Sequence, residues 1–115
     1  MLTSQRTTTE ARRVVVGTFA GALETKVRPA IVNSSATYLA ERPDAIVGIL
    51  TTKLPNKPGT TDYLLLDWQS AGLRAQSCFR AYVLTAHRSE LTVIGHLTGR
   101  DWEAVKARLR AAFAI

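Results

Sequence analysis

An Arg-Pro pair follows a glycine-containing loop in the first third of the chain, in the segment Lys26-Val27-Arg28-Pro29. Proline restricts the residue before it to extended conformations, so the pair predicts that Arg28 opens a β-strand with a fixed backbone. A guanidinium held in this way can stabilise the negative charge that grows on a phosphate during transfer. An ordinary strand-end arginine in contact with solvent has the same pattern, and the residue types alone leave both interpretations open.

Hydroxyl groups at two other places suit the same chemistry. Thr51 and Thr52 end an apolar run, and a hydroxyl at the mouth of a buried strand can donate to a phosphate oxygen. Ser77 comes after a turn at Gly72, with Arg80 just beyond it. Threonine is also common in strands and polar residues are common in turns, so local structure accounts for these positions equally well.

The sequence gives little support to other kinds of catalytic site. His87 and His96 would suit acid–base cleavage of RNA, because imidazole titrates near neutrality, but nothing in the sequence places them together. A phosphate-cradling glycine loop, a His-Glu-x-x-His motif and clustered acidic residues are all lacking, so the sequence predicts neither a metal nor another cofactor. The single cysteine, Cys78, excludes an internal disulfide and a cysteine-built metal site.

Six short β-type runs separated by turn signals must position these residues. The predicted strands cover residues 14–19, 28–33, 45–52, 63–66, 77–84 and 91–97. The segment 34–42 is predicted to be irregular or a short helix, 20–26 to be a loop, and 53–61 to be the longest loop. This spacing is typical of a small α+β barrel, an architecture that recurs among nucleic-acid binders.

The C-terminal segment changes to a helical period. One face carries the apolar residues Trp102, Val105, Leu109, Ala112 and Phe113. The basic residues off that face, predicted to be solvated, are Lys106, Arg108 and Arg110. Thr98 followed by Asp101 resembles a capping box with Asp in place of Glu, which predicts that the helix begins near Gly99.

Length and composition bound the class of protein. The chain of 115 residues suits one domain, and 46% hydrophobic with 21% charged residues excludes a disordered or membrane-embedded chain. We predict a flexible polar tail over residues 1–12 and a folded domain over 13–115. No signal-peptide pattern and no transmembrane span is evident in the sequence, so a cytoplasmic location without membrane attachment is expected.

The charge balance favours an anionic partner. The formal net charge is +6, and the isoelectric point is about 10.1. Most of the basic residues are arginine, whose planar fork fits a phosphate in two-point contacts. Nucleic acid, an acidic membrane surface and an acidic protein all remain compatible with this charge.

Five segments, taken in order, resemble the PemK/MazF family of toxin endoribonucleases. The resemblance runs from about Arg13 to Ile115. It is carried by the VVV strand, KVRPAIV at 26–32, AIVGILTT at 45–52, AGLRAQS at 71–77 and VIGHLTGRDWEAV at 93–105. It implies an SH3-like barrel that forms a homodimer, and metal-independent cleavage of single-stranded RNA by attack of the 2′-hydroxyl on the adjacent phosphate. It also implies a cognate antitoxin, acidic and partly disordered, as the partner of a type II toxin.

Matched position by position, the resemblance assigns candidate roles to individual residues. Arg28 matches the family's catalytic arginine, and Thr51 matches the hydroxyl residue that ends the third strand. Glu24 is the candidate for the acidic residue before the Arg-Pro pair, one residue closer to the arginine than the common spacing. Thr52, Ser77 and Arg80 match positions that contact RNA or line the site in relatives, and Lys26 is a further candidate for a phosphate contact.

One departure leaves the function open. Some family members carry an acidic residue on the strand after the Gly-Leu…Ser turn, where this chain has Tyr82. Tyr82 suits stacking on a base, as aromatic residues do in single-strand binders. A member that binds RNA or an antitoxin without cleavage is therefore the alternative. A purely protein-binding SH3-like domain is a third possibility, which the 7% aromatic content disfavours.

Overall fold

The structure, a computed structural model, describes residues 10–20 and 24–115. Its strands are β1 (Arg13–Ala20), β2 (Thr25–Val32), β3 (Asp44–Thr51), β4 (Tyr63–Leu64), β5 (Cys78–His87) and β6 (Thr92–His96). Its helices are α1 (Ala36–Glu41), a 3₁₀ turn (Arg88–Glu90) and α2 (Gly99–Ala112). Most of the predicted tail, residues 1–9, and Gly21 of the predicted loop lie outside the described residues.

The six strands form one antiparallel sheet in the order β4-β5-β3-β2-β1-β6. The sheet is curled, and α2 lies against β4 and β5. The predicted α+β architecture, a six-stranded SH3-like barrel with a C-terminal helix, is confirmed. No helix within the described ranges is both long and apolar enough to span a membrane.

The second strand begins earlier than the sequence indicates. β2 starts at Thr25, which pairs with Ala20 of β1, so residues 25 and 26 belong to a hairpin strand instead of the predicted loop. The polar side chains of Thr25 and Lys26 conceal this extension, because both are exposed at the end of the hairpin. Arg28 therefore lies within a paired strand, opposite Gly17, instead of opening one.

Two apolar clusters lie on the two faces of the sheet. One cluster, under α2, includes Val14, Ile31, Leu50, Phe79 and Val105. The other cluster, beside α1, includes Val15, Phe19, Ala30, Val47 and Ile49. Neighbouring residues of a strand belong to opposite clusters because side chains alternate between the faces of a sheet.

The predicted capping box is wrong, although the helix does begin at Gly99. Thr98 is the N-cap residue, but its hydroxyl donates to Asp67 Oδ2 at 2.6 Å instead of bonding the helix backbone. Asp101 accepts the backbone N–H groups of Leu66 and Asp67 at 3.1 and 2.8 Å. Those bonds draw the chain out of the sheet, which explains why β4 ends at Leu64 and not at the predicted residue 66.

Strand ends and the exposed helix face differ from prediction in small ways. β3 ends at Thr51, so Thr52 lies just outside it, and β5 begins at Cys78 after Ser77. Arg108, predicted to be solvated, donates from Nε to the Asp62 carbonyl at 3.1 Å and lies over the Tyr63 ring. Planar guanidinium groups stack on aromatic rings readily, which holds this side chain against the protein.

Candidate active site

Arg28 lies where two surface cavities meet. The Thr51 cavity, of about 420 Å³, is lined by Phe19, Ala20, Arg28, Ile49, Thr51, Arg80 and Tyr82. The Ser77 cavity, of about 460 Å³, is lined by Val16, Val27, Arg28, Pro29, Thr52, Gly72, Leu73, Arg74, Ala75, Ser77 and Ile94. Arg28 is a lining residue of both cavities.

Strand alternation gathers Arg28 and Thr51 on one face. Arg28 shares a sheet face with Ala30, two residues further along β2, and Thr51 shares the same face with Ile49. Both side chains line the Thr51 cavity. The structure thus brings together the predicted arginine and the predicted threonine from different strands.

The guanidinium of Arg28 is free to bind a ligand. Within residues 10–20 and 24–115, no hydrogen bond or ion pair joins its side chain to another residue. Its strand position is fixed by pairing with Gly17 of β1, and pairing of β2 with β3 begins two residues further on, at Ala30. A fixed and unpaired guanidinium beside a cavity is suited to an anionic group such as phosphate.

The hydroxyl of Thr51 is partly committed to its own turn. Its Oγ1 accepts the backbone N–H of Lys53 at 3.1 Å. A hydroxyl has one hydrogen and two lone pairs, so this bond leaves the hydrogen available. Thr51 can therefore act as a hydrogen-bond donor to an oxygen in the cavity.

A buried carboxylate holds Arg80 at the rim of the Thr51 cavity. Arg80 Nε donates to Asp62 Oδ1 at 3.2 Å, and Gly59 N–H donates to the other oxygen, Oδ2, at 2.8 Å. The Gly59 N–H and then Arg80 lower the pKa of Asp62, so the carboxylate stays charged. Asp62 therefore links Gly59, in the 53–61 loop, to the side chain of Arg80.

A bulge in β5 determines where Arg80 and Tyr82 point. Gly48 pairs with Val83 but Leu50 pairs with Phe79, so β5 has two extra residues at this place. Ala81, between the two, has φ of 59°. Bulges re-aim side chains next to functional sites, and here both flanking residues line the cavity. Tyr82 is 58% exposed on that wall.

The Ser77 cavity is largely apolar, which the sequence does not reveal. Val16, Val27 and Ile94 come from β1, β2 and β6 and form much of its lining. Val27 is 71% exposed, an unusual position for valine. The alternation of β2 places Val27 on the face opposite Arg28, and only the register of the three strands brings these side chains together.

The polar residues of the Ser77 cavity are Thr52, Ser77 and Arg74. Thr52 and Arg74 are exposed, whereas Ser77 is buried and donates its hydroxyl hydrogen to the Ala75 carbonyl at 3.0 Å. The serine therefore stabilises its own turn and presents only lone pairs to the cavity. Of the predicted site residues, Thr52 and Ser77 line the Ser77 cavity, and Thr51, Arg80 and Tyr82 line the Thr51 cavity.

Glu24 and Lys26 lie outside both cavities. The ammonium of Lys26 is 3.4 Å from a carboxylate oxygen of Glu24, and both side chains are more than half exposed. The structure does not bring either residue to the lining around Arg28. Among the described residues, no aspartate or glutamate side chain lines either cavity.

The histidines lie apart, as the sequence indicates. His87 ends β5 and accepts the Ser89 N–H at its Nδ1, whereas His96 ends β6 beside a small cavity lined by residues 10–13. Neither lines the cavities around Arg28. In the described parts of the chain, no group of three or more His, Cys, Asp or Glu residues could hold a metal ion.

The most extensive polar network lies away from these cavities, at the start of α2. Asp101, which is fully buried, also accepts the Tyr63 hydroxyl at 2.6 Å. Burial and this bond raise the pKa of Tyr63 to about 12. Asp67 binds Arg100 through two bonds of 2.6 and 2.7 Å, and these bonds together with Thr98 lower the pKa of Asp67 to about 2. We call these residues, Tyr63, Asp67, Thr98, Arg100 and Asp101, the Asp101 network.

No protein-family model matches the sequence, and no curated protein does either. Solved structures do match the fold. A Mycobacterium tuberculosis toxin, MazF-mt6, superposes with a TM-score of 0.73 and 18% identity over 90% of this chain and 98% of its own. The chain has the fold of the MazF toxins. A MazE–MazF complex from Deinococcus radiodurans gives a TM-score of 0.70 at 15% identity, over 92% of this chain and 95% of that one.

A further structure with the MazF-like fold is an endoribonuclease in complex with its cognate antitoxin from Mycobacterial species. It matches with a TM-score of 0.68 and 16% identity, over 89% of this chain and 92% of its own. These matches extend over about nine-tenths of this chain and more than nine-tenths of the others, so the likeness concerns the domain as a whole. At this level of identity the likeness concerns the fold, and function must be argued from the site.

Proposed function

We propose that this chain is the toxin of a type II toxin–antitoxin system and an endoribonuclease that cleaves single-stranded RNA without a metal. The observation that carries the proposal is the pairing of Arg28 and Thr51 in one cavity. Both are groups that stabilise phosphate charge, they come from different strands, and the guanidinium has no partner among the described residues. The MazF-like fold gives independent support.

The chemistry needs few protein groups, because the substrate supplies the nucleophile. The 2′-oxygen of ribose forms a bond to the adjacent phosphorus as the bond from phosphorus to the 5′-oxygen breaks. The 2′-hydroxyl loses its proton and the departing 5′-oxygen gains one, which leaves a cyclic phosphate and a 5′-hydroxyl. Positioning and charge stabilisation account for most of such a rate enhancement.

Arg28 and Thr51 stabilise the charge on the same phosphate through different bonds. The Arg28 guanidinium binds the phosphate oxygens, whose charge increases as the five-coordinate phosphorus forms. The Thr51 hydroxyl hydrogen, which Lys53 leaves free, donates to one of the same oxygens. DNA lacks the 2′-hydroxyl, so the same site binds it without cleaving it.

The RNA backbone passes from one cavity to the other across Arg28. Arg80 and Tyr82 contact the nucleotide in the Thr51 cavity, and Thr52 and Ser77 contact the nucleotide in the Ser77 cavity. Lys26, at the exposed end of β2, contacts a more distant phosphate. The net charge of +6 favours such a path electrostatically.

A second candidate function follows from the missing carboxylate. Glu24, the predicted acidic residue, pairs with Lys26 and lines neither cavity. Without a proton acceptor near the 2′-hydroxyl, the same surface suits binding of RNA or of an antitoxin without cleavage. The proposed catalytic role of Glu24 requires that it leave Lys26 when RNA binds.

The proposed partners are an acidic antitoxin and a second copy of the chain. Solved complexes with this fold include MazE bound to MazF and an endoribonuclease bound to its cognate antitoxin. A basic surface around Arg28, Arg74 and Arg80 favours a partner with acidic residues. The toxin would act on RNA in the cytoplasm.

The test is cleavage of a long single-stranded RNA by the purified protein in EDTA, with both new ends mapped. We expect cuts at defined positions, a cyclic phosphate on one side and a 5′-hydroxyl on the other. A matched RNA with a single 2′-deoxynucleotide before one cut site should resist cleavage there and nowhere else.

Intact RNA at saturating protein would reject the enzyme and favour the binding function. Cleavage that stops in EDTA and returns with a divalent ion would reject the metal-independent mechanism. Cleavage at the deoxynucleotide would show that the 2′-hydroxyl is not the nucleophile.

A further inference from the structure

We propose that the Thr51 cavity is a subsite for a nucleobase that presents carbonyl oxygens, guanine or uracil, beside the cleaved phosphate. The inference rests on the proposed function, because it assumes that RNA crosses Arg28. It adds a substrate preference, which neither the fold nor the resemblance of the sequence supplies.

The cavity has the volume and the apolar surface that a base requires. Its volume of about 420 Å³ is sufficient for one nucleotide, and its floor is formed by Phe19 and Ile49, each only 6% exposed. Tyr82 adds an exposed aromatic face at one wall. Bases stack on such faces regardless of their identity, so the apolar surface explains binding but not preference.

Preference comes from the polar side chains, which are all able to donate. In the proposed function Arg28 and the Thr51 hydroxyl hydrogen bind the phosphate, which leaves Arg80 as the group that faces the base, and its guanidinium has donors only. No Asp, Glu, Asn or Gln side chain lines the cavity among the described residues. Guanine and uracil present the carbonyl oxygens O6 and O4, whereas adenine and cytosine place amino donors at the same position.

Arg80 is held in a way that suits base recognition. Its Nε is bonded to the buried Asp62, which leaves the terminal nitrogens as the available donors. Asp62 is fixed in turn by the Gly59 N–H. An arginine with a fixed orientation loses less freedom on binding than a mobile one, and its fork matches O6 and N7 of guanine.

The bulge at Ala81 supplies the local geometry. The two extra residues of β5 project Arg80 and Tyr82 into one cavity, so a stacking face and a donor edge meet around the same ring. A regular strand opposite Ile49 would have a single residue at that point.

The experiment uses two pools of short RNA with random sequence and the full chain. One pool is cleaved and its ends sequenced; the other carries 2′-fluoro groups, cannot be cleaved by 2′-attack, and is sequenced after binding. We expect guanine or uracil to exceed adenine and cytosine by about fivefold or more at one position adjacent to the cut, and the same bases to be enriched in the bound pool.

Two variants assign the preference to the cavity. Arg80→Gln introduces a carbonyl acceptor and should shift the preference toward adenine or cytosine, and Tyr82→Ala should reduce binding while retaining the preferred base. Arg110→Gln, an exposed arginine near the end of α2, is the matched control and should change neither.

The outcomes separate this inference from the proposed function. Cleavage with no base preference beside the cut, or with one that Arg80→Gln leaves unchanged, overturns the subsite and leaves the enzyme intact. Enrichment of guanine or uracil without cleavage, when Arg80→Gln removes the enrichment, supports the subsite and overturns the enzyme. Neither cleavage nor enrichment overturns both.

Discussion

The Thr51 cavity and the Asp101 network use charged residues in opposite ways. In the cavity, Arg28 has no partner among the described residues, and Arg80 is half-exposed with its terminal nitrogens available. In the network, Asp101 is fully buried and accepts three hydrogen bonds, and Asp67 is bonded by Arg100 and Thr98.

The comparison indicates that the residues that stabilise the fold are not the residues that are available to bind a ligand. A buried carboxylate with every bond satisfied stabilises one arrangement of the chain, and removing it leaves orphaned donors. An unpaired guanidinium contributes little to folding, but it can bind a charge that arrives with a ligand. Substitutions in the two regions should therefore affect different measurements.

The largest effect on stability is expected from Asp101→Ala. This change leaves the Tyr63 hydroxyl and the N–H groups of Leu66 and Asp67 without their acceptor, so the free energy of unfolding should fall by about 3 kcal/mol or more. Urea denaturation measures it. Glu103→Ala, which removes only an exposed ion pair with Lys106 on the same helix, should change the value by less than about 1 kcal/mol. Equal losses would contradict the role given to the network.

Thr51→Val tests the cavity side of the comparison. The change keeps the shape of the side chain and removes its hydroxyl, so cleavage should slow by about tenfold or more, since a bond to a charged group is lost. The free energy of unfolding should change much less. Thr51→Ser should restore most of the rate, and a serine variant as slow as the valine variant would show that the hydroxyl is not used.

Acidic pH should reduce the contribution that the Asp101 network makes to the free energy of unfolding. The pKa of Asp67 in the folded protein is about 2, below the usual aspartate value of about 3.9, because Arg100 and Thr98 bond the charged form. Its contribution is complete above about pH 4 and is lost as the pH falls toward 2. Unfolding measured at several pH values should show the stability difference between the parent and Asp67→Asn shrinking over that range. A difference that stays constant would contradict the assignment.

The smallest expected effect concerns the β5 bulge. Ala81 has φ of 59°, where a Cβ is unfavourable, so Ala81→Gly should raise the free energy of unfolding by up to about 1 kcal/mol. Ala86→Gly in the same strand, at an ordinary φ, should lower it by about 1 kcal/mol. Thermal unfolding of both variants provides the comparison, and a loss of stability in both would mean that Ala81 is unstrained.

The sequence predicts the cavity better than it predicts the network. Arg28 and Thr51 stand in local patterns, an Arg-Pro pair and the end of an apolar strand, and the six strands and the helix start follow from periodicity and turn signals. Strand alternation then places the two side chains on one face. Their assembly could therefore be predicted once the order of the strands was known.

The network could not be predicted, because its partners are distant in sequence. Asp101 looks like part of a capping box with Thr98, a short-range pattern, whereas its actual partners are Leu66, Asp67 and Tyr63, more than thirty residues away. A local motif and a tertiary bond compete for the same carboxylate, and the sequence contains no signal that decides between them.

Some features of the cavities depend on strand register and therefore cannot be predicted from the sequence. The apolar wall of Val16, Val27 and Ile94 depends on the pairing of three strands, and the two extra residues around Ala81 look like any other part of β5 in the sequence. An exposed valine and an alanine with positive φ are visible only when the partner strands are in place.

The central claim is that the free Arg28 guanidinium serves chemistry and not the fold. Its most direct test is one preparation of Arg28→Ala assayed for both RNA cleavage and urea unfolding, beside Arg110→Ala as the matched arginine variant. We predict that Arg28→Ala loses cleavage by about a hundredfold or more while its unfolding free energy stays within about 1 kcal/mol of the parent, and that Arg110→Ala changes neither. Cleavage by Arg28→Ala at the parental rate, or a loss of cleavage explained by unfolding, would contradict the claim.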